Sequence, residues 1–185
     1  MFGSITQMFA LAVVVVLVAM GMEQTTLPLT GKQFAQTPLV SEKSDMERFM
    51  DAVAHRESKG NHRVVNQLGM MGKYQFSRTT LRLLRKDITP KQFLQNPHIQ
   101  DTVMLQYLRV NNTMLDPIIS KYEGKTFKGI KITRSGILAA AHLGGAGSVL
   151  SWFRNPSEAG LVDANGTSIR EYMSKFAGYS IGRNL

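Results

Sequence analysis

Glu57 is the only acidic residue between Asp51 and Asp87, and it sits in the segment His55-Arg-Glu-Ser-Lys-Gly-Asn61. The stretch from Ser58 to Lys86 holds seven Lys/Arg and no second acid. An isolated carboxyl followed by cations has the form of a proton donor for an anionic substrate. Two later segments could complete a site around it: Gly69-Met-Met-Gly72-Lys-Tyr74-Gln75-Phe76, and Ala140-Ala141-His142-Leu-Gly-Gly145-Ala-Gly147. Missing Cβ atoms at Gly69 and Gly72 permit close backbone approach to a ligand as readily as a plain turn. Each residue also has an ordinary reading. Glu57 would be a surface glutamate paired with Arg56 or Lys59, and His142 a satisfied core histidine. The spaced cations Lys73, Arg78, Arg82, Arg85 and Lys86 would be a solvated helix face.

Composition narrows the chemistry. The 185 residues contain no cysteine, which removes disulfides, thiolate nucleophiles and Cys-ligated metal. His55, His62, His98 and His142 show no metal-ligand spacing, so neither a metal nor another cofactor is expected. A formal charge of +9 favours polyanionic partners. No groove-reading motif accompanies it, so nucleic acid is not the expected one.

The elements that must position Glu57 are helical. Ser44 and Glu47 form a capping box, and Met46, Phe49, Met50, Val53 and Ala54 follow as an inward stripe. Glu57 falls eleven residues after Met46, about three turns on and near the same face. Gly60 and Asn61 suit the end of that helix. Ser77 caps a helix predicted over Arg78 to Lys86, Pro90 opens a short one carrying Phe93, and Asn96-Pro97 starts another that reaches Asn111. That last helix carries Ile99, Val103, Gln106/Tyr107 and Val110. Glu123 to Lys131 reads as a Gly/Lys-rich loop or small hairpin. Thr133 or Ser135 begins an apolar helix that breaks at Gly144-Gly145 and resumes at Ser148, and Ser168 to Phe176 forms a terminal helix. The class is mainly α.

Taken in order, Glu57-Ser58, Gly60-Asn61, Gly72-x-x-Gln75-Phe76 and Ala140-Ala-His-Leu-Gly-Gly145-x-Gly147 resemble the motif set of the lysozyme-like soluble lytic transglycosylase family. The finer form is similar to a branch of small exported or phage-borne peptidoglycan hydrolases. The resemblance covers about Met46 to Phe153 and implies a lysozyme-like, muramidase-type fold with a small hairpin or loop region. It implies that Glu57 cleaves peptidoglycan glycan strands as the single catalytic acid and base. Ser58, Gly72, Tyr74, Gln75, Phe76, Ala141 and His142 are then the expected substrate-binding residues. One departure matters: the family's usual Tyr-Asn is His142-Leu143 here, so the aromatic hydroxyl that would hold the catalytic Glu is missing at that position. A hydrolytic lysozyme, and a catalytically silent peptidoglycan-binding module, remain the competing readings.

Met8 to Met22 is an uncharged apolar run, shorter than the roughly 20 residues of a comfortable span. Residues 1–22 are expected to be a signal peptide or an N-terminal membrane anchor, 23–43 a linker, and 44–185 the catalytic domain. The expected location is the periplasm or cell envelope.

Overall fold

A computed structural model describes residues 42–155 and 166–185, which belong to one compact unit, Ser41–Leu185. The apolar N-terminal run, nearly all of the linker and most of the Asp163–Gly166 turn lie outside the described residues.

Helix α1, Asp45–Ser58, starts where local chemistry dictates. The Ser44 hydroxyl accepts from the Glu47 amide, and the Glu47 carboxylate accepts from the Ser44 amide. Phe49, Met50, Val53 and Ala54 are buried; the three larger side chains are each worth about 1.5–3 kcal/mol. The helix stops one residue earlier than its glycine suggests, because Lys59 itself takes the left-handed conformation at φ 57° ahead of Gly60. Glu57 therefore lies in the last turn.

Helices α2, Arg78–Leu84, and α3, Pro90–Gln95, are short and capped by Ser77 and Thr89. Helix α2 ends before the predicted Lys86, since Arg85 leaves helical geometry at φ −143°.

Helix α4 runs from Pro97 to Tyr122, eleven residues beyond the predicted end at Asn111. Met104, Leu108, Asn111, Leu115 and Ile119 continue one buried stripe through Pro117. Pro117 and Thr113, whose carbonyl it deprives of a donor, are both exposed residues, so the lost bond lies on the outer face of the helix. Burial of Leu115 and Ile119 outweighs the proline. The inward face is also rotated from the predicted one, with Val110 45% exposed.

The hairpin of β1, Thr126–Phe127, and β2, Ile130–Lys131, turns through Lys128-Gly129 with φ of 51° and 76°, as a two-residue turn with both central residues left-handed requires. Helix α5, Arg134–Arg154, capped by Thr133, packs against α4 and α6. Every residue from Arg134 to Ala141 is buried. Its length and hydropathy would suit a membrane span, but all-round burial against neighbours is what a central core helix shows. At Gly145 the backbone leaves helical geometry (φ 80°, ψ 156°), the predicted break. Helix α6, Ile169–Lys175, presses Met173 against α5 at Gly136, where a Cβ would run into the Met173 carbonyl. That close approach delivers the neighbouring Tyr172 to the end of α1.

Among the described residues the fold is thus mainly α with one two-stranded sheet.

Candidate active site

A cleft of about 550 Å³ opens where the end of α1, the Met70–Ser77 loop, α4 and the kink of α5 meet. Glu57, Gln75, Phe76 and His142 line it together with Tyr107, Ser77, Thr80 and Asn66, and Leu68, Met70 and Leu143 add apolar walls. Glu57 is the one acid among the described lining residues. It makes no ion pair among the described residues, so the reading of a glutamate paired with Arg56 or Lys59 does not hold. The Arg56 guanidinium donates instead to Thr167 at 3.0 Å and stands 5.9 Å from the Tyr172 ring centroid.

The partner of Glu57 is Tyr172. Its hydroxyl donates to Glu57 Oε1 at 2.6 Å, across 115 residues of sequence. Helix α6 thus brings a hydroxyl to the Glu57 carboxyl. The sequence places Tyr172 on an apolar helix side, where it reads as core; the signal that singles it out is its hydroxyl, which needs a partner when buried.

His142 is bonded to the Met70–Ser77 loop rather than to Glu57. Its Nε2 lies 2.9 Å from the Tyr74 carbonyl, which can only accept, so Nε2 carries the proton. Nδ1 is buried without a partner among the described residues. Burial pushes the imidazole below its ordinary range, against the opposing pull of Glu57 and the Tyr74 carbonyl. The ring stands edge-on to Phe76 and Tyr107 at 5.4 and 5.6 Å between centroids.

The Gly72–Gln75 turn is closed by paired backbone bonds between Met71 and Phe76, both at 2.9 Å. Gln75 has φ 53°, and its side-chain amide donates to the Gly72 carbonyl at 2.8 Å. Beneath it lies Gln100, fully buried in α4. Gln100 accepts from the Lys73 amide and donates to the His62 and Phe93 carbonyls, each at 2.8 Å. Gly72 has φ 72°, and a Cβ there would lie 2.7 Å from Gln100 Cδ. The glycine makes room for this clamp. Gln100 escapes sequence reading because a glutamine on a helix normally signals an exposed face.

Four expected binding residues do not line the cleft. Ser58 ties α1 to the turn by donating to the Lys73 carbonyl at 2.9 Å. Gly72 is buried against Gln100. Tyr74 is fully buried, its hydroxyl donating to Asp101 at 2.6 Å, and burial above all raises its phenol far beyond the ordinary range. Ala141 is fully buried, with its carbonyl accepting from Tyr107 at 2.8 Å. All four hold the walls in register. Among the described residues no three His, Asp or Glu gather as a metal site.

The cleft thus holds one carboxyl among its described lining residues, bonded by a tyrosine hydroxyl. No curated protein and no solved structure matches the chain significantly. The transglycosylase SLT domain matches residues 40–161, well over half of the sequence. The chain belongs to that family, whose lysozyme-like domains act on peptidoglycan as lytic transglycosylases.

Proposed function

We propose that this protein cleaves the β-1,4 bond between N-acetylmuramic acid and N-acetylglucosamine, leaving 1,6-anhydro ends. Glu57 gives its proton to the glycosidic oxygen as the bond from the sugar C1 breaks. The resulting carboxylate takes the proton of the same sugar's C6 hydroxyl while that oxygen bonds to C1. No water is consumed, and Glu57 ends protonated, ready for another cycle. The nucleophile is tethered to the reacting ring, which gives it the high effective concentration of an intramolecular group.

The observation that carries this reading is the lone carboxyl of the described cleft, held by Tyr172 at 2.6 Å. Ordinary retaining and inverting glycosidases place a second carboxylate about 5–9.5 Å from the first. Asp101, by contrast, is engaged by Tyr74 and Lys73 away from the cleft lining, and Asp87 by Arg85 on the surface. Gln75, Phe76 and His142 contact the glycan, and Ser58, Gly72, Tyr74 and Ala141 shape the wall. Residues 44–185 form the catalytic domain, exported or anchored through residues 1–22 and tethered by 23–43.

The test is digestion of purified murein with the wild-type chain and with Glu57→Gln, followed by mass analysis of the fragments. Glu57→Gln is expected to lower turnover by about 10²–10⁴-fold, the usual contribution of a positioned acid. Products lighter by one water than hydrolysed ends support transglycosylation. Hydrolysed ends support a lysozyme, and cleavage unchanged by Glu57→Gln removes the catalytic assignment.

A further inference from the structure

Helix α2 and the turn after it carry cations that the fold leaves without counter-charges. From Arg78 to Lys91 the chain has five Lys/Arg against one acid, Asp87. Asp87 is occupied by Arg85 through two bonds of 2.9 and 2.7 Å. Arg78, Arg82 and Lys86 are exposed and form no ion pair among the described residues. Arg78 and Arg82, four apart on a helix of seven residues, repel one another. With Arg85 and Lys86 they line a hollow of about 320 Å³. A phosphate oxygen group held there relieves the repulsion and suits the guanidinium forks.

Leu83 stands among these cations and is 76% exposed, the most exposed of the large apolar side chains described. Thr79, one turn earlier, is exposed as well, so Leu83 projects from the outer side of α2, whereas Leu81 is buried in the core. A leucine left in water contributes nothing to the fold; its favourable transfer is to an apolar surface. Arg82, Leu83 and Lys86 are absent from the lining of the catalytic cleft, so an occupant of this face need not enter the cleft.

Two kinds of occupant share the anionic chemistry. A dissolved polyanion matches the cations and offers Leu83 nothing. The surface of an anionic bilayer matches both, with headgroup phosphates for the cations and an acyl boundary just beneath for one apolar side chain.

We propose that the face formed by Arg78, Arg82, Leu83 and Lys86 docks reversibly on an anionic lipid surface, its cations on headgroup phosphates and Leu83 in the acyl boundary. This concerns a face outside the cleft and does not rest on the glycan-cleaving reading of Glu57.

The experiment sediments Ser41–Leu185 with vesicles of phosphatidylcholine alone and of phosphatidylcholine containing one-third phosphatidylglycerol. This unit holds every described element and core residue, as a self-standing domain does, and it lacks the apolar Met8–Met22 run, which would bind lipid by itself. The expected result is partition to the anionic vesicles only, weakened by added salt. R82A/K86A should lower the partition coefficient about thirtyfold, and Leu83→Gln about fivefold. The charge-matched control K121A/K125A should leave it within about twofold. No binding to anionic vesicles overturns the proposal. Equal losses in the control reduce the effect to net charge and overturn the site. An unchanged partition in Leu83→Gln overturns the lipid assignment, and displacement of the vesicles by polyphosphate then names a dissolved polyanion as the occupant. Ala and Gln both favour helix, and a thermal melt of each variant checks the fold.

Discussion

Tyr172→Phe removes one oxygen and nothing else from the site. The bond it deletes is 2.6 Å long and ends on the carboxyl proposed to do the chemistry. Hydrogen bonds to charged groups are worth about 1.5–3 kcal/mol, so a central value of about 2 kcal/mol corresponds to roughly a thirtyfold fall in turnover. The ring's packing survives, because its neighbours Phe176 at 5.2 Å and Arg56 at 5.9 Å contact the aromatic body rather than the hydroxyl. The melting temperature should therefore move by no more than about 4 °C. The fall should appear in kcat with KM nearly constant, since Glu57 acts on the transition state. Initial rates of soluble muropeptide release, measured beside a thermal melt, decide the matter. A folded variant with kcat within about twofold of wild type would refute the claim that Tyr172 positions the acid.

Other perturbations test the scaffold beneath the site. Gly72→Ala meets both a left-handed backbone and the Gln100 side chain, and should cost about 2–3 kcal/mol in denaturant titration. Gln100→Leu leaves the Lys73 amide and the His62 and Phe93 carbonyls without their partner, for a loss of about 3 kcal/mol or more by the same measurement. His142→Gln keeps a donor for the Tyr74 carbonyl but cannot titrate. Because folding depresses the imidazole below its ordinary 6.5, its contribution is fully present above that pH and is lost as pH falls toward the folded value. Melts at pH 7.5 and pH 5 should therefore differ less in His142→Gln than in wild type, and an unchanged difference would remove His142 as the source.

Much of the scaffold is legible in the chain because its causes are local. The Ser44–Glu47 box, the Ser77 cap, the Asn96-Pro97 start and the break at Gly144-Gly145 each depend on residues within one turn of one another. Helix α4 is the counterexample. Pro117 is a local stop signal, and only the burial of Leu115 and Ile119 by other elements overrides it.

The sequence alone determined the helical class, the family and the isolation of Glu57 among cations, since order and spacing of residues suffice for all three. Only the tertiary structure decided what holds that carboxyl. Tyr172 lies 115 residues away, and Gln100 reaches the Gly72 turn from another helix. Such pairings arise from how α1, α4, α5 and α6 pack, and no periodicity within a segment encodes which distant side chain a packed helix will present.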